Sequence, residues 1–398
     1  MDKKSLVLML CVSVFTGCLA LKSKGDVDKD IVDFAVNQLG KQIEIIEASG
    51  KFMNPRTVHN DKTVYVSRED WTSGFFPGTM WYMYELTGDE KWKGYGVNYT
   101  AQLESVKSLT KHHDIGFIIN CSFGNAYRIT SDEQYKLVII EAAKSLGTRY
   151  RPVPGVIQSW DEDKGWQKDR GWMCPVIIDN MMNLELLFLA TRLSGDSSFY
   201  KMAVNHAENT LINHFRKDYS CYHVVDYDKT NGNVRGKSTA QGFADESAWA
   251  RGQAWALYGF TMCYRETKDI RFLNLAENIF DFLFSHPNMP NDLVPYWDFN
   301  APKIPDEPRD ASAAAIIASA LYELSAFKDG GYKATADKIM MSLSSADYLA
   351  GLNENGNFVL KHSVGSIPHN NEIDVPLNYA DYYFLEALLR KMKIEKSN

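Results

Sequence analysis

The chain lacks a basic surplus, a cysteine framework and any long apolar run past its start, and each lack removes a class of function. Its 43 Lys and Arg against 50 Asp and Glu leave a net charge of −7 over 398 residues. No positive footprint exists for a polyanionic backbone, so nucleic acid is excluded as a partner. The six cysteines are scattered with no CxxC pair. Cys121, Cys174, Cys221 and Cys263 therefore read as core thiols rather than a disulfide framework. His112 and His113 are adjacent and no second cluster shows ligand spacing, so no metal and no cofactor is expected. After the first fifteen residues nothing has the uninterrupted apolar length of a membrane span. Strand-like alternation is scarce too, confined to pieces such as 221–226 and 357–362. No linker or low-complexity tract divides the chain.

What is present begins with an address. A short charged start, Met1-Asp-Lys-Lys-Ser, precedes an apolar run from Leu6 to Phe15 that ends at Phe15-Thr16-Gly17-Cys18. This has the form of an export leader over 1–20, with Cys18 as the residue that would carry a lipid anchor. Phe15 stands where Leu is usual, so simple cleavage after Ala20 is the alternative. Either route places the mature chain, 21–398, in the periplasm or on the outer membrane of a Gram-negative bacterium.

Within that chain one phrase recurs: a helix ends, a short turn carries Asp, and an aromatic residue opens the next helix. It is read at Thr87-Gly-Asp89, Thr130-Ser-Asp132, Ser194-Gly-Asp196 and Thr267-Lys-Asp269, at roughly forty- to seventy-residue intervals. Two alternating sets of helices follow. An amphipathic set falls at 28–48, 91–109, 132–147, 198–214, 270–285 and 332–349, each with one wet face. A more apolar set falls at 76–86, 114–128, 177–193, 247–265, 310–325 and 378–391. Six hairpins of this kind predict an all-α (α/α)6 toroid in one catalytic domain. The long connections, 50–75, 148–176, 216–246, 286–309 and 350–377, all precede inner helices, so they gather at one rim and build a cleft there.

The starts of the inner helices carry the unusual residues. They are Trp71-Thr-Ser-Gly-Phe-Phe-Pro-Gly78, His113-Asp114-Ile-Gly-Phe117, Ile178-Asp179-Asn180-Met-Met-Asn183 and Trp249-Ala-Arg251-Gly-Gln253-Ala-Trp255. Asp179 alone would be a helix-start acid favoured by the dipole, with Pro175 suiting the helix start. Acids, tryptophans and an arginine converging on one rim point instead to a sugar site. The nine Trp are consistent with flat platforms for sugar rings, or with thick core packing.

These motifs, in this order over essentially the whole mature chain, resemble the unsaturated glucuronyl hydrolases of glycoside hydrolase family 88. The resemblance implies removal of a 4,5-unsaturated uronic acid from the non-reducing end of oligosaccharides left by polysaccharide lyases. The double bond is hydrated: an acid protonates C4, water adds at C5, and the hemiketal opens. Asp179 matches the general acid/base and Asp114 the second carboxylate. His113 and His223 match positions lining the uronate site, and Gln241 another polar contact. Asn180 falls within the matched motif as a substrate-binding position. Arg251 suits the substrate carboxylate because its fork is always charged. Trp71, Trp249 and Trp255 match the aromatic wall, and Trp160 is placed under the next sugar, with Trp166 and Trp172 as competitors. Family members that accept sulfated sugars carry Ser-x-x-Ser-x-Lys; here Ser363 and Ser366 are present but Pro368 replaces the Lys. Asp114, if ionised, would raise the pKa of Asp179, which predicts activity peaking below neutral pH.

Glycosaminoglycan fragments are the expected substrate. The alternatives are a related hydrolase on unsaturated galacturonyl-rhamnose, and a non-catalytic glycan-binding lipoprotein. A sugar 2-epimerase shares the ring but needs paired histidines that His112 and His113 do not supply.

Overall fold

The recurring Asp phrase is a two-sided cap. Asp89, Asp132, Asp196 and Asp269 each accept the N–H two residues on, opening a helix. Each also donates its own N–H to the Thr or Ser hydroxyl two residues back. Between them Gly88, Ser131, Gly195 and Lys268 close the preceding helix in the left-handed region. Glycine does so freely, and Ser131 and Lys268 do so against their side chains.

The computed structural model describes residues 24–397. The leader expected at 1–20, with Cys18, lies outside the described residues. Six outer helices are α1 (Lys24–Ala48), α3 (Glu90–Ala101), α6 (Glu133–Gly147), α8 (Ser197–Asn213), α10 (Ile270–Ser285) and α12 (Tyr332–Leu343). Inside them lie α2 (Phe75–Thr87), α4 (Ile115–Ile119) running through a π segment at Asn120–Gly124 into α5 (Asn125–Thr130), and α7 (Leu184–Ser194). The inner ring is completed by α9 (Ala250–Thr267), α11 (Ala311–Leu324) and α13 (Asn378–Ser397). α13 packs on both α11 and α2, which closes the ring as the hairpin count predicts. The four cysteines 121, 174, 221 and 263 are free and buried. No helix among the described residues is long and apolar enough to cross a membrane.

Small antiparallel sheets in the long connections are the main departure from expectation. β1 (Asn54–His59) pairs with β2 (Lys62–Val66), and β3 (Tyr150–Arg151) with β4 (Val156–Ile157). β5 (Pro175–Ile177), β6 (Val224–Tyr227) and β7 (Val234–Ser238) form a three-stranded sheet, and β8 (Ser363–Ser366) pairs with β9 (Asn371–Val375). Pro175 therefore sits in a strand, not at a helix start. The third inner element instead begins as a 3-10 turn over Ile178–Asn183, with Asp179 in its first turn. The strand expected at 357–362 lies one step later, at β8.

The hollow of the ring is filled by rings. Trp71 meets Phe75, Phe117 and Tyr379 at centroid distances of 5.8, 5.5 and 5.1 Å. Phe117 meets Trp255 at 5.2 Å, Trp255 meets Tyr383 at 5.4 Å, and Tyr383 meets Tyr258 at 5.6 Å. At the far rim Glu386 accepts from Tyr82, Tyr258 and Ser319 at 2.7, 3.1 and 2.6 Å.

Candidate active site

A cleft of about 430 Å³ opens at the rim where the long connections gather. Its floor is the aromatic fill, through Trp71, Phe117 and Tyr379, and its walls include Asp114, Asp179, Trp160, Gln241, Arg251 and Ser366. The connections are what bring these together: Trp71 precedes α2, Asp114 precedes α4, and Asp179 follows β5.

Asp114 is buried and held on one side. Its Oδ1 accepts the Asn183 amide at 3.0 Å, and its Oδ2 lies 3.2 Å from His113 Nε2. Burial pushes its pKa up to about 7 against the pull of the Asn183 hydrogen bond, with Asp70 adding to the rise and Arg149 opposing it. His113 is stacked on His112 at 5.4 Å and kept neutral by burial and by His112 and Arg149.

Asp179 is equally buried, and its Oδ2 has no hydrogen-bond partner. Burial raises it to about 7; Arg251 pulls it down, Asp114 pushes it up, and the Trp255 indole pulls it down. His223 Nε2 stands 3.7 Å from this Oδ2. The tautomer of His223 follows from the backbone: Nδ1 accepts the N–H of Ala240 at 3.0 Å and of Gln241 at 3.2 Å, so the ring proton sits on Nε2, facing Asp179. Burial and the nearby Arg251 hold the ring neutral. A neutral donor therefore waits beside an acid that ionises near neutrality.

Arg251 reaches the cleft, but its fork is occupied. Nη1 donates to Val364 O and, at 3.3 Å, to Asp310 Oδ2, while Nη2 donates to Gly365 O at 2.7 Å. The guanidinium lies over Trp249 at 4.6 Å and Tyr379 at 5.5 Å. It is thus a strut between α9 and the β8–β9 hairpin, and it places a fixed positive charge beside the carboxylates. Gln241 Nε2 also reaches Gly365 O, at 3.3 Å.

The profile of Glycosyl Hydrolase Family 88 matches residues 45–390. The chain belongs to glycosyl hydrolase family 88. An unsaturated glucuronyl hydrolase of Formosa agariphila is 50% identical over 85% of this chain and 83% of its own length. An unsaturated chondroitin disaccharide hydrolase of Streptococcus agalactiae is 32% identical over 91% and 92%. Among solved structures, an unsaturated glucuronyl hydrolase specific for heparin superposes with a TM-score of 0.88 at 46% identity, covering 93% of this chain and 98% of that one.

Not every matched position of this family 88 hydrolase faces the cleft. Trp71, His113, Asp114, Trp160, Asp179, Gln241, Arg251 and Ser366 line it. Asn180 is fully buried and donates to Ile157 O at 2.7 Å, tying the 3-10 turn to β4. Trp249 lies beneath Arg251 and against His223 at 4.7 Å, and Trp255 packs on Phe117. Ser363 is buried with an unpaired hydroxyl and Ser366 bonds His369 at 2.7 Å. Trp160 stacks on Trp172 at 5.6 Å with Trp166 edge-on at 5.1 Å, so the three competitors form one cluster. His112, His113 and Asp114 bring one donor atom each within 4.8 Å of one another. The His112 Nδ1 is already spent on the Asp114 N–H at 3.0 Å, so the arrangement serves the loop.

Arg56 and Glu372 line the cleft, yet neither is read as a site residue from the sequence. Arg56 holds Glu372 with Nε at 2.6 Å and Nη2 at 2.8 Å, and Asp70 with Nη1 at 2.9 Å. This braces the cleft-lining β8–β9 hairpin against the Trp71 loop. A Cβ on Gly365 would lie 2.6 Å from Glu372 Cβ, so the hairpin requires glycine there. Nothing local in the sequence marks a pair 316 residues apart.

Proposed function

We propose that this family 88 enzyme, an unsaturated glucuronyl hydrolase, releases 4,5-unsaturated glucuronic acid from the non-reducing end of lyase-generated glycosaminoglycan oligosaccharides by hydrating the double bond. The observation that carries this reading is the pair of buried carboxylates, Asp114 and Asp179, both raised to about 7 at the closed end of a cleft. Burial raises both, and the Asp114 charge adds to the rise at Asp179, which favours a proton on Asp179. Asp179, with its free Oδ2, is the donor. It protonates C4, the developing positive charge at C5 is met by water, and Asp179 takes a proton back from that water. The hemiketal at C5 then opens and the rest of the sugar leaves. Asp114, paired on one oxygen, supplies negative charge and accepts from sugar hydroxyls. His223 Nε2–H steadies the Asp179 carboxylate once its proton has gone. Arg251 gives a fixed cation for the uronate field, and Trp160 a face for the next ring. The bound state of a related enzyme supports a disaccharide-sized ligand: an Asp-to-Asn mutant of the Streptococcus agalactiae hydrolase, 28% identical with a TM-score of 0.76, is complexed with dGlcA-GalNAc6S.

Hydration destroys the conjugated chromophore, so ultraviolet absorbance follows the reaction. Unsaturated chondroitin, hyaluronan and heparin disaccharides should lose it with the parent enzyme, and with Asp179→Asn the rate should fall by at least about 10²-fold. Absorbance that persists on all three, or an Asp179→Asn variant at the parental rate, overturns the assignment. The leader at 1–20 supports export, with Cys18 lipidated; a cell fractionation that finds the full-length chain in the cytoplasm refutes that address.

A further inference from the structure

Asn183 is the last residue of the 3-10 turn that carries Asp179, and it is wholly buried. Its amide is used at both ends. Oδ1 accepts the N–H of Phe117 at 3.0 Å, and Nδ2 donates to Asp114 Oδ1 at 3.0 Å, with Asn180 Oδ1 a further 3.4 Å contact. The Phe117 N–H demands an oxygen and the Asp114 carboxylate a donor, so the orientation of the amide is determined. The two inner elements bearing the carboxylates touch here: a Cβ on Gly116 would lie 2.5 Å from both Asn183 Cα and Oδ1. A residue needed only to fill this contact could be apolar, since burying an amide is repaid only by its hydrogen bonds. The amide adds direction. Asp114 Oδ1 is bound to the element that carries the acid, and Oδ2 is left toward His113 Nε2 at 3.2 Å.

We propose that Asn183 is a positioning residue of the reaction, orienting Asp114 and keeping it the ionised member of the pair, so that the transferable proton stays on Asp179. The inference rests on the roles assigned above to Asp114 and Asp179. The groups acting on Asp114 are Asp70 from the loop before α2, Arg149 after α6, and its neighbour His113. Asp179 is faced by Arg251 and Trp255 of α9, His223 before β6, and Asp114 itself. Of the influences favouring the Asp114 carboxylate, the Asn183 hydrogen bond is the largest. Asn183 itself does not titrate, so alanine there removes the hydrogen bond without adding a group, whereas aspartate removes the donor and adds a carboxylate that pushes Asp114 the same way.

The test compares Asn183→Ala and Asn183→Asp with the parent on an unsaturated disaccharide across pH. Losing a hydrogen bond to a charged group raises the Asp114 pKa, so the acidic limb of kcat/KM should move up by about one pH unit. The turnover number should fall about tenfold or more while KM changes little, and the Ala and Asp variants should share the direction. A folded variant with the parental limb, or one that loses only stability, overturns the proposal. Where neither variant folds, ¹³C-carboxyl titration of the intact enzyme decides: Asp114 must lose its proton at lower pH than Asp179, and the reverse order refutes the role. Asp179→Asn run alongside separates the layers. Parental turnover there sinks the hydration reading, whereas an inert Asp179→Asn with an unmoved limb in Asn183→Ala sinks only the positioning role.

Discussion

Replacing Arg251 by alanine distinguishes a strut from a substrate clamp. The side chain is 2% exposed, and its two terminal nitrogens serve Val364 O, Gly365 O and Asp310 Oδ2. Its plane also covers Trp249. Truncation removes the Arg251 donor from Val364 O, leaves Gly365 O to the Gln241 amide, and leaves the buried Asp310 without its cation, although Asp310 still caps α11 through Ser312 and Ala313. Unsatisfied acceptors cost about 1–3 kcal/mol each and removing one partner of a buried pair about 3–5 kcal/mol, sums that overlap. A loss of about 3–5 kcal/mol in the free energy of unfolding is therefore expected, together with faster amide exchange across 363–375. Arg251→Lys keeps the charge, but one ammonium does not reproduce a three-acceptor fork, so it should recover only part of the loss. Urea unfolding, hydrogen exchange and steady-state kinetics on the same preparations give the answer. If Arg251→Ala keeps parental stability and protection and only raises KM, the strut reasoning is wrong and the arginine is held for the uronate alone.

Two further expectations follow from the same geometry. Asp179→Asn should be more stable than the parent at pH 8 and not at pH 4. The folded carboxyl ionises near 7 rather than 3.8, so the penalty for ionising it in place appears as pH rises through that window and amounts to a few kcal/mol. A variant-minus-parent difference in melting temperature that stays constant over pH 4–8 refutes the burial argument. Gly116→Ala must displace the Asn183 backbone, costing about 1–3 kcal/mol and separating the two carboxylates. Unchanged stability and turnover in that variant show the contact to be slack.

The ring was legible because its signals are local. At four hairpin turns an Asp two residues after a Thr or Ser stands between the end of one helix and the start of the next, and the small-residue helix at 310–325 reads as buried without any partner being known. Asp114 and Asp179 stood out as acids in apolar surroundings. What stayed hidden is pairing at a distance. Strands of two to six residues such as β3 and β1 show no dependable alternation and exist because a loop finds a partner. Pro175 suits a helix start and a strand equally, and only pairing with Asp226 decides. Arg251 announced a free charge in sequence, but whether a fork is free depends on carbonyls 113 and 114 residues away. Asn183 carried the right residue type in a quoted motif, yet its partner Asp114 lies 69 residues earlier.

The aromatic fill of the ring has a consequence for how the enzyme meets a polymer. Rings in contact from Trp71 to Tyr258, ending on the hydrogen-bonded Glu386, make the hollow a blind well rather than a tunnel. A chain cannot be threaded through it, so no strand slides forward after each cut. Under the proposed reaction at the non-reducing end, a terminus enters and both products leave by the same mouth, which is a distributive pattern. On that reading, short fragments, with many ends per unit mass, offer such a well the most entries.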